Sequence, residues 1–188
     1  MNKTGITIFA SWMLLAAFLA ATGDAGRDEA VAAIKKAYAE TAASIALAQR
    51  GEGGGLYCNE LVVNSRSGSW RASGSYLKKA AFWYSDQPAF AAAEGRKAES
   101  ALAKVEVEER AAAVTVYREF FFVDGCLLFF FRSEKGGGTA VEERVYLKNG
   151  KPLLRLLGAV KAPGTADAAA ILREAEHWQK LFLMSFDE

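Results

Sequence analysis

The side chains able to do chemistry in this 188-residue chain are few and scattered. The single histidine, His177, stands next to Trp178 but off the apolar stripe of a helical pattern, and reads as a surface residue. The two cysteines, Cys58 and Cys126, allow a disulfide in an oxidising compartment, and both equally suit small apolar strand positions. A bridge would need their Cα atoms within about 7 Å, which spacing along the chain does not supply. A Cys58–His177 nucleophile and base would need an orienting third group, and no local signature supports one. Glu106, Glu108, Glu109, Glu142 and Glu143 alternate with basic residues like the solvated side of a sheet. None of them forms an evident facing pair of the kind a glycosidase uses. No His pair, Cys pair or Asp-rich loop has metal-ligand spacing, so neither a metal nor a cofactor is expected. The glycine-rich stretch 51–55 lacks the Gly-Lys-Ser/Thr ending of a phosphate loop. Aromatic residues remain. Trp83, Tyr84 and Tyr117 fit a core, whereas Trp70 lies in a polar segment with no periodic partner, where partial exposure would suit a binding residue but folding back onto the sheet is the expectation that ranks first.

The elements that must position these residues centre on 114–159. Two hairpin patterns follow one another there, VTVYREFFFV-DG-CLLFFFRS and AVEERVYLK-NG-KPLLRLLGA. Asp124-Gly125 and Asn149-Gly150 tolerate positive φ at both turn positions, which matches the twist of the flanking strands and closes two-residue loops. Counting one to one from the first turn places Val123 opposite Cys126, Phe120 opposite Phe129, and Glu119 opposite Phe130. Glu119 would then lie diagonal to Arg132. The same count from the second turn groups Leu147, Val145 and Val141 with Pro152, Leu154 and Leu156, and sets Arg144 opposite Arg155. Near the first turn both sides are apolar, as in a strand pair that is covered on both faces or bent. Pro152 directs its nitrogen away from its partner and marks a sheet edge.

Around this centre, 27–50 is an amphipathic helix with Val31, Ile34, Tyr38, Ile45 and Ala48 on one face and Gly51 as its left-handed cap. Strands are expected over 56–64, 76–85 and 102–108, the last alternating Ala103, Val105 and Val107 with Lys104, Glu106 and Glu108. A polar loop at 65–75 carries Trp70, and the alanine-rich stretch 89–100 can hold a helical turn. Between 109 and 113 the chain must pass a tight turn or a bulge. Gly136-Gly137-Gly138 is a flexible joint between the hairpins. After Pro163-Gly164, Thr165 can cap a helix running to about Met184, striped by Ile171, Ala175, Trp178 and Phe182. The fold expected is α+β: an antiparallel meander of about six or seven strands, with the C-terminal helix and the N-terminal helix on one face.

Residues 1–25 have the pattern of a secretory leader: Lys3, an uncharged apolar run over 6–21, then small residues ending at Ala21 or Ala25. The alternative is a retained N-terminal anchor, for which the run is short of the roughly 20 apolar residues a span needs. Residues 26–188 then form one domain, and nothing in it is long and apolar enough to span a membrane. The 23 basic and 22 acidic side chains leave no electrostatic footprint for nucleic acid.

The stretches VYREFFFVDGCLLFFF and EERVYLKNGKPLLR, set between a leader and helix in front and a closing helix behind, resemble a group of uncharacterised exported bacterial proteins. The resemblance implies an exported α+β domain and carries over no catalytic residue. A helix on a curved antiparallel sheet is also similar to cystatin-like, NTF2-like and lipoprotein-carrier folds, by analogy of fold alone. The expected function is a non-catalytic binding module of the cell envelope, periplasmic or secreted. Its partner would be a protein or a small apolar ligand, with Trp70, Trp83 and the Phe120/Phe129 pair as candidate contacts. Two alternatives stand beside it: a hydrolase assembled from dispersed residues, and an inhibitor-like protein presenting the 65–75 loop around Trp70.

Overall fold

The computed structural model describes residues 7–53, 55–66, 68–71, 74–136, 140–162 and 167–186, with 7–24 given as helical backbone only. A long helix, α1 (Thr7–Gln49), leads into a nine-stranded antiparallel sheet. The strands are β1 (Tyr57–Val63), β2 (Ser69–Trp70), β3 (Gly74–Tyr84), β4 (Leu102–Ala111), β5 (Val114–Val123), β6 (Cys126–Lys135), β7 (Val141–Lys148), β8 (Lys151–Leu157) and β9 (Val160–Lys161). A short helix, α2 (Pro88–Ala93), and a 3₁₀ turn bridge β3 and β4, and α3 (Ala168–Met184) closes the chain. Spatial order follows chain order, β1-β3-β4-β5-β6-β7-β8-β9, with β2 hooked onto β3. The fold is therefore the expected α+β meander with two extra strands. The two additions, β2 and β9, are two residues each and too short to show an alternation.

Both turn dipeptides sit at chain reversals with positive φ at each central residue: Asp124 51° and Gly125 74°, Asn149 51° and Gly150 71°. A third tight turn, Ala112-Ala113, joins β4 to β5, with Ala112 at φ 50° and its N–H donated to Ser75 O. Gly51, at φ 71°, ends α1 as expected. The helix itself is continuous from Thr7, so the expected leader and the amphipathic segment share one helical backbone. Residues 1–6 lie outside the described set, as do Gly137, Gly138, Pro163, Gly164 and Thr165. The cap of α3 is Asp167, two residues later than expected, and its carboxylate accepts the Ala170 N–H at 2.9 Å. Pro152 does mark an edge, since β8 pairs onward with β9 only at Leu156 and Leu157. No helix among the described residues is long and apolar enough to cross a membrane.

Two registers depart from the one-to-one count. The pairing of β5 with β6 shifts between Phe121 and Phe122, and that of β7 with β8 shifts between Tyr146 and Leu147. In each case one residue, Leu128 or Leu153, is inserted as a bulge, and everything beyond it moves to the other face. Glu119 therefore faces Phe131, and Phe120 faces Phe130. Arg118, not Glu119, lies level with Arg132, so the expected Glu119–Arg132 diagonal does not form. Likewise Arg155 lies opposite Val145 and bonds Glu143 at 2.7 Å, while Leu154 and Leu156 join Tyr146 and Arg144.

The helices cover opposite faces, which corrects the expectation of one shared face. On one side α3 presses Ile171, Ala175, Trp178 and Phe182 onto Phe82, Val105, Val107, Phe120, Phe122, Phe130 and Val145. On the other, α1 sets Val31, Ile34 and Tyr38 against Phe121, Phe129 and Tyr146. The cause is the double-sided apolarity of β5 and β6: consecutive Phe120, Phe121 and Phe122 all have to leave water, and strand geometry sends neighbours to opposite faces.

Candidate functional site

The face under α1 carries a polar cluster of unusual depth. Glu106 on β4 lies directly opposite Glu119 on β5, and Lys104, two residues back on the same face, reaches both. Its ammonium is 2.8 Å from Glu106 and 3.3 Å from Glu119. Lys104 is 5% exposed and Glu119 8%, so this pair is inside the protein and not at its rim. Tyr38 descends from α1 and donates its hydroxyl to Glu119 at 2.5 Å; Tyr117 donates to the other Glu119 oxygen at 2.7 Å. Lys104 also donates to the Tyr38 oxygen at 3.3 Å, and the Trp83 indole N–H donates to Glu106 at 3.2 Å. Two carboxylates facing each other would be unfavourable alone. Lys104, two phenols and an indole satisfy them, and each buried polar atom of the cluster has a partner.

These contacts set the protonation of the cluster. Burial pushes the Tyr38 phenol up, and its bond to Glu119 adds to this, to about 12. Tyr117 is raised further by burial and then by Glu119. For Lys104, burial alone would lower the pKa, but the Glu119 charge and the Glu106 bond outweigh it and the net shift is upward. At neutral pH the phenols stay protonated and the amine stays charged, far from the poise near working pH that proton transfer uses.

Beside the cluster a cavity of about 290 Å³ opens between α1 and the sheet. Lys35 and Tyr38 line it from the helix, and Glu119, Phe129, Phe131, Arg144 and Tyr146 line it from the strands. The floor is aromatic: Tyr38 meets Phe129 edge-on with centroids 5.2 Å apart, and Phe129 meets Tyr146 at 5.0 Å. Two cations stand over that floor, the Lys35 ammonium 5.6 Å from the Tyr146 ring centre and the Arg144 guanidinium 5.4 Å from that of Phe131.

A second, larger cavity of about 450 Å³ lies on the opposite face near the start of α3. Arg118, Arg132 and Arg155 meet Glu109, Glu143, Glu174 and Asp167 there. Arg118 is forked between Glu174 at 2.8 Å and Glu109 at 2.7 Å, and its buried Nε–H has no partner among the described residues. The carboxylates outnumber the guanidiniums and are largely tied to them, so this region reads as an ion-pair lattice that orients α3.

The residues singled out from sequence end in four different settings. Phe129 lines the α1-side cavity. Phe120, 0% exposed, is packed on Phe130 in the α3-side core, so Phe120 and Phe129 do not form a pair: the Leu128 bulge sets them on opposite faces. Trp83 is buried beside the polar cluster. Trp70 is 48% exposed and stacks on Tyr76 at 4.5 Å. Cys58 and Cys126 are both free thiols. The order β1-β3-β4-β5-β6 puts four strand spacings between them, about 19 Å at about 4.8 Å each, far beyond bridging distance. Cys58 is exposed, yet partial desolvation, with Glu60 and Glu106 nearby, raises its thiol to about 11. His177 is exposed on α3 across the sheet from Cys58, and no dyad forms.

Sequence reasoning missed Lys104, Tyr38, Glu119 and the acid pair. Glu106 was expected on a solvated face, yet it is half-buried. The available cue was that Tyr117, Glu119 and Phe121 share a face, so a strand that begins polar ends greasy under a cover. Among the described residues, no group of three or more His, Cys, Asp or Glu is placed to hold a metal ion. Comparison with protein-family models, curated proteins and solved structures finds no match to this chain.

Proposed function

We propose that the protein is an exported, non-catalytic binding module of the cell envelope that takes a small ligand in the groove between α1 and the β5–β8 part of the sheet. One observation carries this: an aromatic-floored cavity of about 290 Å³, where the larger cavity on the other face is walled mainly by ion-paired side chains. That is near the lower end of small-molecule sites, which run from about 300 Å³ upward. The titratable groups beside it support binding over catalysis, because Glu119, Tyr38 and Lys104 are bonded to one another. Export is supported by the leader pattern of residues 1–25. Among the described side chains, those of α1 that pack on the sheet begin at Val31, and cleavage after Ala25 would leave them in place.

The test is a titration of the purified full chain with a panel of small aromatic and aliphatic compounds, charged and neutral, followed by backbone NMR shifts. At least one should saturate with shifts confined to Phe129, Phe131, Tyr146 and their neighbours, and Phe131→Trp, which fills the floor, should weaken it at least tenfold. No saturable shift at these residues, or binding indifferent to Phe131→Trp, would overturn the site. For export, expression with the native N-terminus in a bacterial host should yield a periplasmic product whose mass lacks the leader. A cytoplasmic product of full mass overturns that half. A second reading, presentation of the 65–75 segment to a protein partner, is favoured by Trp70, which is half-exposed and held by its stack on Tyr76. In that case Trp70→Ala abolishes partner binding and leaves the groove unaffected.

A further inference from the structure

The rim of the groove names the class of occupant. Building on the binding role proposed above, we infer that the ligand is a small organic anion: an apolar, ring-sized body carrying one carboxylate or similarly charged group. The floor supplies the apolar half of the match through Phe129, Phe131 and Tyr146. The polar half is asymmetric. Two of the lining residues are cations, Lys35 and Arg144, and one is an anion, Glu119.

Glu119 keeps its charge, but among the described residues its ion pair is with Lys104, 3.3 Å away, and not with Lys35 or Arg144. Both its oxygens already accept phenolic O–H bonds, at 2.5 Å from Tyr38 and 2.7 Å from Tyr117. Arg144 spends one terminal nitrogen on the Gly158 carbonyl and the other on Glu142, at 2.8 and 2.9 Å. These bonds fix its plane above Phe131 and leave Nε–H open among the described residues. Lys35 has no carboxylate within ion-pair distance among the described residues; its contact is the Tyr146 ring, 5.6 Å from the ammonium. Its neighbour Lys36, by contrast, is paired with Glu40. An uncompensated ammonium held over an aromatic floor, beside a guanidinium with a fixed plane, is a receptor for negative charge at one end of an apolar body. A cationic ligand would meet like charge at the rim, where cations already stand over the Tyr146 and Phe131 rings. At about 30 Å³ per water, the cavity accommodates at least about ten water-sized groups, which suits an aromatic or short branched acid and excludes a long acyl chain lying wholly within it.

The pair that tests this is 1-naphthoate and its neutral counterpart 1-naphthylmethanol, titrated into the full chain by calorimetry and NMR. Naphthoate should bind one to one and at least tenfold more tightly than the alcohol. Lys35→Glu should remove that preference, and Lys35→Met should fall between. Both changes lie at an exposed helix position, and unfolding curves verify that the variants are folded. Equal affinity for the two probes, or a naphthoate preference untouched by Lys35→Glu, overturns the anion assignment while the groove survives as a binding site. If neither probe shifts the groove resonances, the assignment fails as well. The broad compound panel then decides separately whether the groove binds anything.

Discussion

The two faces of the sheet are made from the same residue types and behave differently. Under α3 the aromatics close completely: Phe120 and Phe182 are 0% exposed, and Phe82, Tyr84, Trp178 and Phe186 surround Phe182 with ring centroids 5.2–6.2 Å apart where they meet. Under α1 the rings stop short, a polar cluster takes the middle, and a cavity remains. The difference lies in what each helix brings. The packed stripe of α3 is Ile171, Ala175, Trp178 and Phe182, large enough to fill a concave surface. Alanine-rich α1 presents Val31, Ile34 and one tyrosine, whose hydroxyl commits it to Glu119. A helix poor in large side chains can cover a sheet without filling the space beneath it. The rings under α3 therefore hold the fold together, and the room on that face lies among paired charges near the start of α3, whereas the room under α1 has an aromatic floor.

The strongest way to break this division is to remove bulk from each face in turn. Phe182→Ala, on the closed face, should cost about 3–5 kcal/mol in urea unfolding, the range for deleting a buried phenyl group. Phe131→Ala, on a ring that already borders open space, should cost clearly less. If the two cost the same, the α1 side is as tightly packed as the α3 side and the cavity is not a feature of the folded protein.

Next in size is the buried ion cluster. Lys104→Met leaves Glu106 and Glu119 face to face with no cation between them, and should cost about 3–5 kcal/mol, the range for breaking a buried pair from one side. Adding Glu119→Gln to that variant should return a good part of the loss. The double-mutant cycle then measures a coupling of at least about 1 kcal/mol, as expected of side chains within one network. Additive losses would mean that the cluster is solvated and that the α1 face has no ordered polar interior.

How much of this was legible in the chain follows from how local each cause is. Asp124-Gly125 and Asn149-Gly150 announce their turns because the φ requirement belongs to two adjacent residues. The alternation of Val105 and Val107 with Lys104 and Glu106 announces a strand for the same reason. The bulges at Leu128 and Leu153 are not local in this sense. Nothing in LLFFF or KPLL distinguishes an inserted leucine from a paired one, and the choice is made by which phenylalanines each helix must cover. Because the bulge decides the face of Phe120 and Glu119, the expected Phe120/Phe129 pair failed along with the register. Lys104 was visible as one polar member of an alternating strand, but its burial depends on Tyr38, more than sixty residues away. Phe129 alone of the candidate contacts reached the groove, by burial on the face that α1 covers.

A subtler probe of the α1 face is alkali. The folded pKa of Tyr38, about 12, lies above the ordinary 10.0, and Tyr117 is displaced in the same direction. The folded state holds these phenolic protons after the unfolded chain has lost them. Their contribution is therefore whole below about pH 10 and is lost as pH rises toward and past 12. Unfolding free energies at about pH 9 and about pH 11.5 should show this decline, and Tyr38→Phe should make it shallower. Phenolate absorbance in the folded protein should show Tyr38 titrating late, and titration of Tyr38 at its ordinary value would place it outside the cluster.

The smallest expected effect is the sharpest check on whether the faces act independently. Asp167 caps α3 by accepting the Ala170 N–H, and among the described residues no other side-chain cap is seen at that end. Asp167→Ala should cost about 1 kcal/mol, the usual loss for an N-cap carboxylate, and should loosen the first turn of α3 near Arg118 and Glu174. The groove lies on the far side of the sheet and shares no residue with that region. Sites that share no partners and act independently add to within about 0.5 kcal/mol. Ligand affinity in the groove should therefore be unchanged while stability falls. A parallel loss of affinity would mean that the sheet transmits the position of α3 to the rings beneath α1, and the two faces would have to be treated as a single cooperative unit.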